Sequence, residues 1–252
     1  MKNEGLFDVT IIGGGPAGLF ASFYSGLREM KTKVIEYQPR LGGKVHVYPE
    51  KMIWDVGGLT PVLGETLIEQ LIQQGLTFDP TVVLNQKVER IGRDESGVFV
   101  LHAASGERHY TKTIILAIGG GILEPQRIEL EGAGKFDVAN LSYTVKSFIN
   151  HGYERDRSLL ENSEVKLELA DGFFVAGQST SVTSVPGIYA AGDIIKYEGK
   201  VHLIAGAFQD AANAVNQAKL YIQPEAHECG MVSSHNDIFQ SRNRELIKQL
   251  MK

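Results

Sequence analysis

Three glycines at the spacing Gly13-x-Gly15-x-x-Gly18 follow the run Phe7-Asp8-Val9-Thr10-Ile11-Ile12. That run is apolar and β-branched, as a strand buried on both faces should be. In such a setting the first glycine makes a tight turn, the second lets backbone approach a pyrophosphate, and the third lets a helix pack on the sheet. The N–H groups and dipole at the helix N-terminus then hold the phosphates. Glu36 closes a second strand pattern, Lys33-Val34-Ile35-Glu36, at the position where a carboxylate can take ribose hydroxyls. A ligand-free glycine turn would show the same three glycines. The strand before them and the carboxylate after them favour a bound dinucleotide. They do not separate FAD from NAD.

A second signal does. Gly187-Ile188-Tyr189-Ala190-Ala191-Gly192-Asp193 reads as a strand ending in Gly-Asp, and an alanine-rich helical stretch, Leu203 to Tyr221, follows it. Asp193 would present its carboxylate to a ribityl hydroxyl. The N-terminus of the following helix could face flavin oxygens where negative charge develops on reduction. Paired with the N-terminal glycine turn, this points to FAD.

Other groupings carry less. His227, Glu228, Cys229 and His235 fit no structural zinc spacing, so no metal site is expected. Glu161, Glu164 and Glu168 alternate with apolar residues, as a solvated face does. No Ser-His-Asp set has a strand-turn-helix context. Cys229 is the single cysteine, which excludes an internal disulfide and a Cys-x-x-Cys redox pair. A net charge of -5 argues against nucleic acid as a partner. With no leader or long apolar span in the sequence, a cytoplasmic protein without a membrane segment is expected.

The elements that must position these residues are legible in outline. A helix is expected from Leu19 to Leu27 between the first two strands. Short strands at Val88, Val98-Phe99-Val100 and Thr113-Ile114-Ile115-Leu116, with turns at Glu95-Ser96-Gly97 and Ser105-Gly106, predict a three-stranded β-meander. Ile114 to Ile118 reads as a buried strand ending at Gly119-Gly120-Gly121. Residues 122–163 are irregular, and a polar tail from Gln223 to Lys252 holds a short amphipathic helix near Arg244 to Met251. The expected class is α/β: a Rossmann-like FAD-binding domain with a parallel sheet, the meander and a C-terminal helical tail.

Several segments resemble the thioredoxin-reductase-like flavoproteins, and more closely the ferredoxin–NADP+ reductases of that type: Ile11 to Leu19, Leu41-Gly42-Gly43-Lys44, Tyr48-Pro49-Glu50-Lys51, Trp54-Asp55-Val56-Gly57-Gly58, Ile188 to Ile194, Tyr197 to Ala205, and Val232-Ser233-Ser234-His235. The resemblance spans nearly the whole chain. It implies an FAD-dependent oxidoreductase of the pyridine nucleotide-disulphide superfamily, working through the flavin rather than a catalytic side chain. It implies a cofactor-binding set of Gly13, Gly15, Pro16, Ala17, Gly18, Glu36, Leu41, Gly42, Gly43, Lys44, Tyr48, Asp55, Val88, Gly119, Gly192, Asp193, Ile204 and His235. Leu41, Gly42 and Gly43 would line the path from adenosine to ribityl, and the Val88 backbone would hold the adenine. Tyr48 would stack on one face of the isoalloxazine, with Asp55 near its edge. His235 would approach the other face, in cis or from a second protomer. Read from the residues alone, Tyr48 could equally be a surface aromatic and His235 a solvated histidine.

The chain departs from this family in one respect. Such reductases carry a second Rossmann domain for NADPH, inserted within the FAD domain. No second glycine-rich strand-turn-helix exists here, and Pro125 after Gly119-Gly120-Gly121 does not continue a phosphate-binding helix. Leu141-Ser142-Tyr143-Thr144-Val145 resembles the segment leading into that domain, and Asn150-His151-Gly152-Tyr153 the one leading out. The expected organisation is therefore 1–148 and 149–222 as two parts of one FAD-binding domain, with the NADPH domain missing between them, and 223–252 as an extension covering the flavin. The resemblance implies a homodimer that passes electrons to ferredoxin, flavodoxin or a ferric chelate, with direct NADPH oxidation impaired. The alternatives are a non-catalytic FAD-binding or assembly module, and a short NAD-dependent dehydrogenase. Asp193 and the lack of an acid/base pair speak against the latter.

Overall fold

A computed structural model describes residues 5–121 and 156–250. The expected join near Phe148 and Ile149, and the segments 141–145 and 150–153, lie outside the described residues. The order of elements is β1 (Leu6–Ile12), α1 (Pro16–Leu27), β2 (Thr32–Ile35), β3 (Met52–Ile53), β4 (Val62–Leu63), α2 (Gly64–Gly75), β5 (Thr81–Val83), β6 (Val88–Arg93), β7 (Phe99–Ala103), β8 (Arg108–Leu116), α3 (Ser158–Asn162), β9 (Leu169–Ala170), β10 (Phe174–Ala176), β11 (Ile188–Ala190), β12 (Ile195–Lys196), α4 (Ile204–Ile222) and α5 (Gln240–Leu250).

The main sheet has seven strands in the order β5-β2-β1-β8-β7-β6, with β11 also on β8. β5, β2, β1, β8 and β11 are parallel. The three-stranded meander is β6-β7-β8, and it is antiparallel. β8 is both its last strand and a central strand of the main sheet. β7 pairs with the first half of β8, at Arg108 to Thr111, and β11 takes over the same edge at Ile114 to Leu116. One long strand thus carries the meander and delivers the carboxyl ends of β1, β8 and β11 side by side. In open parallel sheets, ligands bind at those ends.

Side chains alternate cleanly across the sheet, with period two. Val9, Ile11, Val34, Ile115 and Tyr189 face α1, α2 and α4. Ile12, Ile35, Ile114, Leu116, Ile188 and Ala190 face the meander residues Ile91, Phe99 and Leu101 together with Phe173 and Val175. Each of the buried Val, Leu and Ile side chains among these contributes on the order of 1.5–3 kcal/mol by leaving water. α2 has no counterpart in the sequence reading, although Leu67, Ile68 and Leu71 give it a buried stripe at helical spacing. It packs on α1 through glycines: a Cβ at Gly75 would meet Leu19, and one at Gly26 would meet Phe78 at 2.2 Å.

Candidate cofactor site

The glycine turn after β1 is held by two close approaches. Gly13 has φ +107, and a Cβ there would lie 2.4 Å from the carbonyl oxygen of Ala117. A Cβ at Gly18 would lie 1.9 Å from the carbonyl oxygen of Gly13. Neither position has room for a side chain. Gly15 differs, because the nearest atom to its added Cβ is Gly43 Cα at 3.7 Å, an ordinary contact. Space at Gly15 is kept open toward a cavity.

That cavity has a volume of about 580 Å³. Its wall includes Gly13, Gly15, Pro16, Ala17, Glu36, Gly43, Lys44, Tyr48, Asp55, Val88, Gly119, Gly192, Asp193 and Ile204. The two glycine signals, far apart in sequence, therefore meet in one cavity. Gly18, Leu41 and Gly42 are not in its wall. Gly18 serves the helix–strand contact. Leu41 is buried against Gly14, and Gly42 donates its N–H to the Gly14 carbonyl at 2.8 Å. Of the Leu41–Gly43 loop, only Gly43 faces the space where a path from adenosine to ribityl was expected.

Two helices begin at this cavity, and neither N-terminus is capped by a side chain. α1 starts from Gly15, with Pro16 in its first turn and no acidic residue there. α4 starts from Leu203, again with no side-chain cap and no first-turn acid. Uncapped helix N-termini leave backbone N–H donors and a positive dipole end for an anionic ligand. A pyrophosphate suits the first and a developing flavin anion the second. Glu36 sits at the far end of this arrangement, almost fully buried. Its carboxylate accepts from Gly14 N at 2.6 Å and from Gln38 N at 2.7 Å. Each oxygen still has a lone pair for a ribose hydroxyl.

At the other end Tyr48, Asp55 and Asp193 gather. Burial, then the charges of Asp193 and Asp55, push the Tyr48 hydroxyl above its ordinary pKa, so it stays protonated at neutral pH. Tyr48 is half-buried on the cavity wall and is no free surface aromatic. Asp193 is exposed into the cavity, on a turn where Gly192 has φ +78 and Ala191 N donates to Leu116 O at 2.9 Å. The set fits FAD from adenosine to isoalloxazine: one buried carboxylate at a ribose position, two uncapped helix starts, a second carboxylate, and an aromatic beside the apolar end.

His235 is not brought to the cavity within the chain. Its segment lies against the opposite end of α1, where Gly230 N donates to Tyr24 Oη at 3.0 Å and Arg28 donates to His227 O. Phe239 packs on Phe78 at 5.5 Å between ring centroids, and Arg242 lies over the same ring. A helix of twelve residues is ~18 Å long, which separates this tail from Gly15.

The sequence reading also missed wall residues. Lys87 and Asp156 both line the cavity and pair at 2.7 Å. Burial works against the Asp156 carboxylate, but hydrogen bonds from Lys87 and Ser158 overcome it and hold its pKa below the ordinary value. No local signal marks a partnership across sixty-nine positions; only the fold creates it.

Residues 7–150 match the pyridine nucleotide-disulphide oxidoreductase family. The ferredoxin–NADP reductase 1 of Bacillus cytotoxicus is 48% identical, with 100% of both chains covered. That alignment runs over 348 positions, against 252 residues in this chain. The ferredoxin–NADP reductase 1 of Oceanobacillus iheyensis is 47% identical, covering 96% of this chain and 97% of its own. Among solved structures, the thioredoxin reductase of T. acidophilum superposes with a TM-score of 0.70 at 16% identity, over 88% of this chain and 100% of that one. The thioredoxin reductase of Gloeobacter violaceus gives 0.66 at 16%, over 91% and 100%. At such identities these two speak to the fold alone.

Proposed function

The chain belongs to the pyridine nucleotide-disulphide oxidoreductases, and within them to the ferredoxin–NADP reductases, a family of FAD-dependent oxidoreductases; from that premise we propose that it holds FAD along the cavity and passes electrons through it to a ferredoxin or flavodoxin, with direct oxidation of NADPH impaired. One observation carries this reading: the Gly13–Gly18 turn and the Gly192–Asp193 turn open on the same cavity, each beside an uncapped helix start. When bound, FAD supplies the electron-accepting and electron-donating chemistry, and the protein supplies binding, orientation and electrostatics.

In this reading Glu36 takes the ribose hydroxyls, and the α1 N-terminus takes the pyrophosphate. Asp193 takes the ribityl chain, and Tyr48 packs on the isoalloxazine with Asp55 near its edge. The adenine lies by the backbone of Val88. Impaired NADPH oxidation rests on the missing second Rossmann segment. An alignment longer than the chain supports that, as does the resemblance of segments 141–145 and 150–153 to the two ends of such a domain. The protein would then work in the cytoplasm as a homodimer. His235 of one protomer would reach the flavin of the other, since its own chain holds the tail away from the cavity.

The test is direct. Purified protein is expected to be yellow and to release close to one FAD per chain on heating. Release of FMN, or of no flavin, overturns the assignment. Light scattering should give twice the 27.6 kDa chain mass at micromolar concentration, and a monomer mass would remove the trans role of His235.

A further inference from the structure

Behind the Gly192–Asp193 turn lies a buried ion pair that no step above uses. The Asp210 side chain is 0% exposed and that of Lys200 only 2%. The Asp210 carboxylate accepts from Lys200 Nζ, from Tyr197 Oη at 2.6 Å and from Gly192 N at 3.0 Å. The aromatic ring of Tyr197 also lies 5.3 Å from Lys200 Nζ. Burial and the Asp210 carboxylate push the Tyr197 hydroxyl up to about 12, so it remains a donor. Ser181 Oγ donates to the Asp210 main-chain oxygen at 2.8 Å, tying the same turn of α4 to the strand side.

The connectivity gives this pair its meaning. Gly192 N–H donates to Asp210, and without that carboxylate it would be a buried, unpaired donor. Asp210 stands one turn beyond Ala207, whose side chain lies in the cavity wall. Lys200 sits in the loop that delivers His202, Leu203 and Ile204 to that wall. One pair therefore fastens together the turn that carries Asp193, the loop before α4 and the start of α4. A buried carboxylate this expensive to desolvate is retained only with its countercharge and its hydrogen bonds in place.

We propose that Lys200 and Asp210 are a positioning pair for the flavin, which locks the Asp193 turn against the start of α4 and, by balancing its two charges, sets the reduction potential of the bound cofactor. This rests on the FAD reading above. Reduction would place negative charge on the flavin, and charges buried beside the first turns of α4 would act on it through low dielectric. With the pair intact, the two charges offset each other. Lys200→Met leaves a lone carboxylate and should lower the midpoint potential. Asp210→Asn leaves a lone ammonium and should raise it. Neither residue touches the cofactor, so the effect is on placement and field.

The experiment compares wild type, Lys200→Met and Asp210→Asn, each loaded with FAD, by spectroelectrochemical titration at pH 7. The expected order is Lys200→Met below wild type below Asp210→Asn, with FAD affinity weakened about tenfold or more in both. Equal potentials, or shifts of the same sign, overturn the proposal and leave a purely structural pair. Should either single variant fail to fold, the charge-free Lys200→Met/Asp210→Leu protein decides. Replacing both members of a buried pair by apolar residues is well tolerated, so its apoprotein should fold, while the Gly192 amide should exchange hydrogen about tenfold faster or more. Unchanged Gly192 exchange overturns the proposal. Wild type that takes up no FAD sinks the parent reading instead, which keeps the two failures distinct.

Discussion

Gly15 and Gly43 meet in the cavity wall so closely that a Cβ on Gly43 would lie 2.8 Å from Gly15 Cα, whereas one on Gly15 would lie 3.7 Å from Gly43 Cα. The contact is lopsided because Gly43 adopts φ +58 while Gly15, the N-cap of α1, keeps φ -78.

Substitutions in the glycine turn should therefore separate folding from binding. Gly15→Ala meets only ordinary contacts in the protein, so it should fold with nearly the wild-type Tm and yet lose FAD, because its methyl enters the space needed by a pyrophosphate. Gly15→Val should abolish FAD binding outright. Gly18→Ala collides with the Gly13 carbonyl at 1.9 Å and should lower the Tm of the apoprotein itself. Thermal melts and FAD titrations of the two alanine variants check this. A Gly15→Ala protein with wild-type FAD affinity would place the phosphates elsewhere.

Glu36 should show the opposite, mixed behaviour. Its two carboxylate oxygens already accept backbone N–H groups of Gly14 and Gln38. Glu36→Ala strands both donors, at a cost of about 1–3 kcal/mol for each that stays buried, and also removes the ribose acceptor. The expected result is a lower apoprotein Tm together with weaker FAD binding. Glu36→Gln keeps one good acceptor and should fall between. An apoprotein melt unchanged by Glu36→Ala would mean that the carboxylate does not hold the turn.

A pH dependence follows from His109, near the start of β8. Burial, then the nearby Lys33 charge, lowers its pKa below 6.5, with Glu107 opposing. Lys33 Nζ lies 3.2 Å from Nδ1, so that nitrogen accepts and the ring is neutral in the fold. The folded pKa is depressed relative to the unfolded one. The stability His109 contributes is therefore full above pH 6.5 and is lost progressively as pH falls below that value. His109→Gln should be less stable at pH 7.5 and should flatten the slope of stability between pH 6.5 and 5. Urea melts across that range check it, and an unchanged slope would assign the acid sensitivity elsewhere.

How much of this was legible in the sequence depends on range. The glycine turn, β1, β2 and α4 follow from local pattern: β-branched runs, glycine spacing and alanine-rich helix propensity. Asp193 was identified because a Gly-Asp pair ends a strand. The α2 stripe of Leu67, Ile68 and Leu71 was equally local and simply unread. Lys87–Asp156 and Lys200–Asp210 were not legible, because a charged residue in sequence reads as solvated until the fold buries it. The position of the His235 segment within its own chain was not legible for a related reason. What anchors the tail is a set of contacts with Tyr24, Arg28 and Phe78, which carry no mark of that role in the chain order. The meander was found, but its fusion with the central strand was not, because one strand serving two partners on the same edge leaves no trace in periodicity.

Hydride transfer needs the nicotinamide carbon held near the flavin nitrogen in a near-attack geometry of about 3–3.5 Å, and such orientation can account for roughly 7–11 kcal/mol of barrier lowering. In the proposed reading, the segment that would supply that orientation is missing between residues 148 and 149. NADPH could then reduce the flavin only by collision at the cavity mouth, without a site of its own. The expected outcome is reduction orders of magnitude slower than in a relative with both domains, rising nearly linearly with NADPH concentration, while dithionite bleaches the flavin at once. A His235→Ala variant separates the two contributions: if a partner's tail screens the flavin, the collisional rate should rise in that variant, still without saturating. Stopped-flow traces that saturate at micromolar NADPH would reveal a nicotinamide site within this chain, and the reading of a missing domain would have to be given up.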